Sequence, residues 1–407
     1  MNVDRMRQID FWVGVPMTAL LSGLYRLWRL FSPPRTDGGR DILFIELSEM
    51  GSAVIADSAL KRAKTLFPEA RLYFLIFAKN RYSLEITGTI PPEQVLTIRA
   101  DSMLTLTLDT VKAIVAMRRL DLFATIDMEM FSRFSALLTF FSGAPRRVGF
   151  HKFFAEGLHR GELLTHPVLW NTHQHVAKSF LALVHALTEP KDALPHTKLA
   201  FSDAEIRLDP VAPAPEILAA FRARLVGAFP VLETARHWVL LNPNSSELMP
   251  LRRWAVESYT ELARRVLEDE QVAVMITGTK SEWAEAQRLC DSCGSDRIIN
   301  LAGFTQMADL VPLYTLAGLM VSNDSGPAHF ASPTGLKTIV LFGPETPKLY
   351  GALNDNAEFI YAGLACSPCV SALNHRKSPC DDARCMKAIT VDQVLGRVRA
   401  LLSAPPS

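Results

Sequence analysis

From residue 41 onward the chain alternates short, nearly continuous apolar runs with stretches of helical periodicity, and it does so twice. ILFIEL (42–47), RLYFLIF (71–77), QVLTI (94–98) and LFATIDM (122–128) are too uniformly apolar for strands with one wet face. They predict a parallel sheet covered on both sides by crossover helices, here over 53–66, 105–118 and 131–142. The pattern restarts with WVLLNP (238–243), VAVMITG (272–278), IINLAG (298–303), GLMVSND (318–324) and KTIVLFG (337–343). Helices are expected between these runs, over 254–268, 281–291, 306–316 and 325–334. The Pro-, Ala- and Asp-rich stretch 189–235 lacks a clean period and divides the halves.

The predicted class is therefore α/β, with two Rossmann-like domains. A segment 1–36 precedes a first domain over 37–205, a linker spans 206–235, and a second domain covers 236–390. Residues 391–407 are expected to form a helix that returns to the first domain. A length of 407 residues suits two such domains. Ligands of open parallel sheets sit outside the carboxyl ends of the strands, so two rims facing a central cleft would serve two substrates. Lys+Arg 43 against Asp+Glu 42 leaves no net field, so no nucleic-acid partner is expected. Six cysteines do not make a disulfide scaffold and point to a reducing compartment.

The N-terminus reads IDFWVGVPMTALLSGLYRLWRLF over 9–31, with Arg5 and Arg7 before it and Arg26 and Arg29 in its last turns. A spanning helix needs ~20 continuous apolar residues. This run is interrupted by Arg26 and carries Pro16, so a helix lying in a membrane interface fits better, with Trp12 and Trp28 at headgroup depth. Peripheral attachment to the cytoplasmic face of the inner membrane is the expectation. The competing reading is a helix packed on the protein's own surface.

The sharpest segment is Val321-Ser-Asn-Asp-Ser-Gly-Pro-Ala-His329. A strand ends at Asn323-Asp324, and Ser325-Gly326-Pro327 opens a helix whose exposed N–H groups suit a diphosphate. Asp324 repels phosphate and is expected to orient the loop or meet sugar hydroxyls. His329 is within reach of a phosphate, or else packed structurally.

D-S-G-P-x-H-x-A after a strand, followed by KTIVLFGPETP, resembles glycosyltransferase family 9, the heptosyltransferase-type enzymes of lipopolysaccharide core assembly. The resemblance extends over residues 41–403 and includes ILFIELSEMGS, LLNPNSS, TGTKSE and NLAGFTQM. It implies a GT-B fold and inverting transfer from a nucleotide-diphospho-sugar to a glycan or glycolipid acceptor, with no cofactor required for catalysis. By resemblance, Asp324, Ser325, Gly326 and Pro327 hold the sugar and diphosphate, and Glu282 holds the ribose. Asn242, Asn244, Ser245 and Ser246 supply polar donor contacts. Arg252 or Arg253 neutralises the leaving diphosphate, where charge grows as the glycosidic bond breaks.

An inverting transferase needs a base for the attacking hydroxyl. The family's first loop reads M-G-D, and its Asp is the expected base. Here the loop reads Met50-Gly51-Ser52, and the carboxylate is missing. Glu49 is the favoured substitute, with Asp57 and Asp127 behind it. Gly51, Ser52 and the pair Arg146-Arg147 are candidate acceptor contacts, the arginines because guanidinium forks suit phosphate. Loss of the family Asp also admits a catalytically silent sugar-nucleotide-binding protein, or an epimerase or hydrolase on the same fold. Finally, Cys366, Cys369, Cys380 and Cys385 have a spacing that can close a structural zinc knuckle, with free or disulfide-linked thiols as the other reading.

Overall fold

The computed structural model describes residues 3–31, 39–151, 159–190, 193–194, 196–245, 249–374 and 376–403. The chain divides into two compact units, Met1–Arg207 and Leu208–Ser407. Each contains one six-stranded sheet in which every neighbouring pair is parallel.

The first unit's sheet consists of β1 (Asp41–Ile45), β2 (Leu72–Phe77), β3 (Val95–Ile98), β4 (Leu122–Asp127), β5 (Arg146–His151) and β6 (His166–Leu169). Their order is β3-β2-β1-β4-β5-β6. The chain winds outward from β1 through β2 and β3, then returns to the other side of β1, so the topological switch lies between β1 and β4. The second sheet consists of β7 (His237–Asn242), β8 (Val272–Ile276), β9 (Ile298–Asn300), β10 (Leu319–Asn323), β11 (Lys337–Phe342) and β12 (Ala357–Tyr361). Its order, β12-β11-β10-β7-β8-β9, places the switch between β7 and β10.

The central strands β1, β8 and β10 are buried at every position, as apolar runs covered on both faces require. The sequence pattern does not mark β5, β6 and β12. β6 and β12 are sheet edges, short and partly exposed, with Pro167 in β6, where a missing N–H costs little. β5 opens on two arginines, which disguise it as a loop.

Residues 206–235 are not a linker. The helix Pro215–Ala228 buries Phe221 and Leu225, and Trp238 Nε1 donates to Leu232 O, so the stretch is built into the second unit. The C-terminal helix Val391–Ser403 likewise belongs to that unit. Val394, Leu395 and Val398 enter its core beside Trp254, Leu262 and Val266.

The N-terminal run forms two helices, α1 (Val3–Trp12) and α2 (Gly14–Phe31). They dock on the first unit by their small and polar residues. Asp10 Oδ1 accepts from the backbone N–H groups of Arg133 and Phe134 at 2.9 and 2.8 Å, which satisfies open donors at the start of the 133–141 helix. Gly14, Thr18 and Ser22 are buried, and Ser22 Oγ accepts from Glu162 N at 2.7 Å. A Cβ on Gly14 would stand 2.6 Å from the Arg133 Cβ, so only glycine permits this approach. Leu20, Leu24, Leu27, Trp28 and Phe31 are all exposed. Among the described residues no helix is long and apolar enough to cross a membrane.

Candidate functional site

The second unit's switch point gathers most of the residues expected to hold a donor. β7 ends at Asn242 and β10 at Asn323, in neighbouring register with Ser322 opposite Asn242. Asn323 is buried and acts as a clamp. Its Nδ2 donates to Pro243 O (2.9 Å) and Asn244 O (3.2 Å), and its Oδ1 accepts from Trp254 N (3.0 Å). Trp254 is fixed in turn by its Nε1 donating to Ile389 O at 2.9 Å. Asn242 Nδ2 donates to Thr277 Oγ1 (2.9 Å), and Asn244 Nδ2 to Thr277 O (3.3 Å). These two asparagines therefore rigidify the rim between β7 and β8. Ser246 lies outside the described residues.

Asp324 follows directly, almost fully buried. Arg252, at the end of a short turn of 3₁₀ helix (Pro250–Arg252), brings its Nε within 3.2 Å of Asp324 Oδ2. Its Nη2 lies 3.8 Å from Glu345 Oε2. Arg253 points elsewhere, donating to Ser245 O at 3.3 Å. Of the two candidate arginines, the geometry thus joins Arg252 to the Asp324 loop. Ser325 Oγ donates to Asn323 O (3.1 Å), Gly326 and Pro327 open the helix Gly326–Ala331, and His329 lies on that helix's buried side.

Glu345, in the G-P-E-T-P turn after β11, escaped the sequence reading, although a carboxylate at the end of a central parallel strand was a usable signal. It is completely buried, and burial pushes its carboxyl up to about 8. Neighbouring Asp324 adds to the rise and Arg252 opposes it. Burial also raises Asp324, again opposed by Arg252. One arginine therefore serves two desolvated carboxyl groups, an arrangement that holds a cation at the strand ends. The folded state keeps the Glu345 proton up to about 8, whereas the unfolded chain loses it near 4.5. Rising pH through that window should lower stability, by at most about 1.4 kcal/mol per pH unit from this group. Urea unfolding at both ends of the window is expected to show this slope in the wild type and a flatter one in Glu345→Gln. Equal slopes would refute the assignment.

Glu282 closes a capping box, with its Oε2 accepting from Thr279 N (2.6 Å) and Thr279 Oγ1 (2.8 Å). A Cβ on Gly278 would come 2.9 Å from Asn244 Nδ2 and 3.1 Å from Glu282 Oε2, so Gly278 makes room for both side chains. An open groove of about 1010 Å³ runs along β9, lined in part by Lys280, Trp283, Asn300, Gly303 and Phe304, the first and second of which flank Glu282 in sequence.

In the first unit the switch-point loops carry the candidate bases. Asp127 is sealed in. Its Oδ1 accepts from Glu129 N (3.1 Å), and its Oδ2 accepts from Ser135 Oγ (2.9 Å) and from Arg160, itself buried. With both oxygens engaged it is a structural ion pair and not an open base. Asp57 is also buried, 2.6 Å from Lys61 Nζ. Glu49 differs, being half-buried at the start of the 50–55 helix. Ser52 Oγ donates to Glu49 Oε2 at 3.1 Å, so the serine where the resemblance expects an Asp holds a carboxylate one turn earlier. Gly51 lies between them. Glu129 ties the loop down, accepting from Leu47 N, Ser48 N and Ser48 Oγ at 2.8 to 2.9 Å.

Arg146 and Arg147 begin β5, at the opposite end of the strand from the ligand rim. Arg147 is buried and donates to Leu163 O, Ala144 O and the Tyr25 hydroxyl, fastening α2 to the sheet. Arg146 stacks 4.2 Å from the Phe123 ring centroid. Neither is arranged as a fork for an acceptor, and that expectation is corrected. The zinc reading also lacks support. Cys366, Cys369, Cys380 and Cys385 are free thiols, and among the described residues no three or more His, Cys, Asp or Glu side chains are grouped to hold a metal ion.

Two parallel six-stranded units, one with a cation and a polar rim at its switch point, have the architecture of GT-B sugar-transferring enzymes. Residues 124–378 match Glycosyltransferase family 9 (heptosyltransferase), and the chain belongs to that family. It is 25% identical over 178 residues to lipooligosaccharide heptosyltransferase 2 of Campylobacter jejuni, covering 42% of this chain and 53% of that protein. It is 29% identical over 118 residues to lipopolysaccharide heptosyltransferase 2 of Escherichia coli, covering 28% and 34%. The matched stretch thus spans about half or less of these curated relatives. The fold is similar to the solved E. coli ADP-heptose lipopolysaccharide heptosyltransferase II, with a TM-score of 0.68 at 20% identity over 89% of this chain and 98% of that one. Family membership favours a transferase over the silent or epimerase readings.

Proposed function

We propose that this chain is an inverting, metal-independent glycosyltransferase. It moves heptose or a related sugar from a nucleotide-diphospho-sugar, ADP-heptose first among candidates, to a lipopolysaccharide-core or other cell-envelope glycolipid. The observation that carries the proposal is Arg252, held between Asp324 and Glu345 where the second sheet reverses its winding. A cation fixed there before the reaction stabilises the charge that grows on the departing diphosphate, without reorganising as it forms. Asp324 and Ser325 meet the sugar and phosphates, and the groove along β9 takes the nucleoside. Glu49, oriented by Ser52, removes the proton from the acceptor hydroxyl as it attacks the anomeric carbon from the face opposite the leaving group. No metal is needed for these steps, since the arginine supplies the positive charge. The exposed apolar face of α2 supports peripheral attachment to the cytoplasmic face of the inner membrane.

The test is transfer from ADP-heptose to a glycolipid acceptor lacking its heptose, with the anomeric configuration of the product read by NMR. Transfer with inversion is expected, and Glu49→Gln should lower kcat by about 10²–10⁴ while leaving donor KM nearly unchanged. Undiminished turnover in Glu49→Gln would remove Glu49 as the base. Absence of transfer across ADP-, UDP- and GDP-sugars would remove the proposal.

A further inference from the structure

The first unit carries a second apolar stripe that its own core does not use. In the helix Met103–Arg119, Leu104, Leu108, Val111 and Val115 are 69%, 51%, 55% and 44% exposed. Their spacing of four, three and four residues aligns them on one face. Core packing does not need them, because Ala113 and Met117 already bury the opposite side. This helix and α1 pack against one common cluster. Met6 of α1 packs into the same cluster as Leu106, Ile114 and Phe134. The unit therefore bears two exposed apolar stripes, one on α2 and one on the 103–119 helix.

The charges around them are mostly of one sign. Arg5, Arg26, Arg29 and Arg119 are exposed. The acids of these elements are largely taken: Asp10 is 3.4 Å from Arg133 Nη1, and Asp109 is 2.7 Å from Arg99 Nε. Among the described residues Asp101 and Asp121, at the two ends of the 103–119 helix, and Glu162 beside α2 are exposed acids within this basic border. Apolar stripes bordered by arginine, with Trp12 and Trp28 exposed on the N-terminal pair, match the chemistry of an anionic bilayer: acyl chains below and phosphate at the rim.

We propose that α2 and the 103–119 helix together form one platform by which the first unit lies on an anionic lipid surface, with both stripes entering the headgroup–acyl boundary. This extends the membrane attachment proposed above from the N-terminal segment to the body of the unit. It also makes attachment bidentate, so the bilayer fixes the unit's tilt as well as its distance.

The experiment is co-sedimentation of the full chain with vesicles of phosphatidylglycerol and phosphatidylcholine, and of phosphatidylcholine alone. Leu104→Ser/Leu108→Ser/Val111→Ser/Val115→Ser is compared with Leu20→Ser/Leu24→Ser/Leu27→Ser. Each set is expected to weaken partitioning to anionic vesicles by about tenfold or more, and wild-type binding should fall when the anionic lipid is omitted. All substituted residues are exposed, so circular-dichroism melting should be unchanged and rules out unfolding as the cause. Wild-type partitioning by the 103–119 variant, with loss confined to the α2 variant, would overturn the proposal. So would a wild-type dimer, measured by light scattering, that the 103–119 variant makes monomeric at unchanged lipid binding, because a second copy would then cover the stripe. Transfer to a detergent-dispersed acceptor, measured alongside, should survive in both variants. Failure of the platform is thereby separable from failure of the transferase reading.

Discussion

Replacing Arg160 with methionine is expected to destabilise the first unit by about 3–5 kcal/mol, because it strands the fully buried Asp127 carboxylate without its cation. Arg160 also donates to Ser132 O and Phe150 O at 2.9 Å and to Ser135 Oγ at 3.0 Å, so its loss orphans acceptors as well as a charge. Removing both members is different. Asp127→Leu/Arg160→Met exchanges a desolvated pair for apolar volume and should recover most of the loss, since such swaps are often neutral. Urea unfolding of the single and double variants measures this. If Arg160→Met melts like the wild type, the pair contributes nothing and the enclosure of Asp127 needs another account. Asp127→Asn, by contrast, should leave the proton-transfer step intact, as befits a residue sealed away from any acceptor.

The second large effect belongs to Arg252. On the proposed role of Arg252 at the departing diphosphate, Arg252→Ala is expected to lower kcat by about 10²–10³. Arg252→Lys should recover only part of this. An ammonium restores charge, but not the planar fork that reaches Asp324 and Glu345 together. Steady-state kinetics with donor and acceptor varied separately provide the measurement. Wild-type kcat in Arg252→Ala would transfer the role to another residue, with Arg253 first in line. Because Asp324 and Glu345 lose their shared countercharge, both carboxyls should also hold their protons to higher pH in the variant.

The central strands were legible in the sequence because burial on both faces leaves an unbroken apolar run. Of the edge strands, β3 and β9 were read and β6 and β12 were not. Pro167 interrupts β6, and β12, buried at no position, need not be an unbroken apolar run. The polar strand-end rim of the second unit was readable where polar residues end or directly follow a strand, as at Asn242 and Asp324. Glu345 and the Asn323 clamp were missed because their importance comes from partners distant in sequence, Arg252 and Trp254, that only the sheet order brings near. The Arg146-Arg147 pair misled for the same reason. Two adjacent arginines read as a surface fork, yet the pleat of β5 sends them to opposite faces, one onto Phe123 and the other into the unit toward Tyr25. The departure at Ser52 pointed to Glu49 as the substitute base. It could not show that the serine hydroxyl would reach Glu49.

The Asn323 amide grips the chain at Pro243 and Asn244 and again at Trp254, so the span that delivers Arg252 is stapled at both ends by one side chain. Where the guanidinium stands is therefore set as much by one buried amide as by the residues that carry it. Losing that amide would loosen a polar strand-end loop and a buried indole in one stroke.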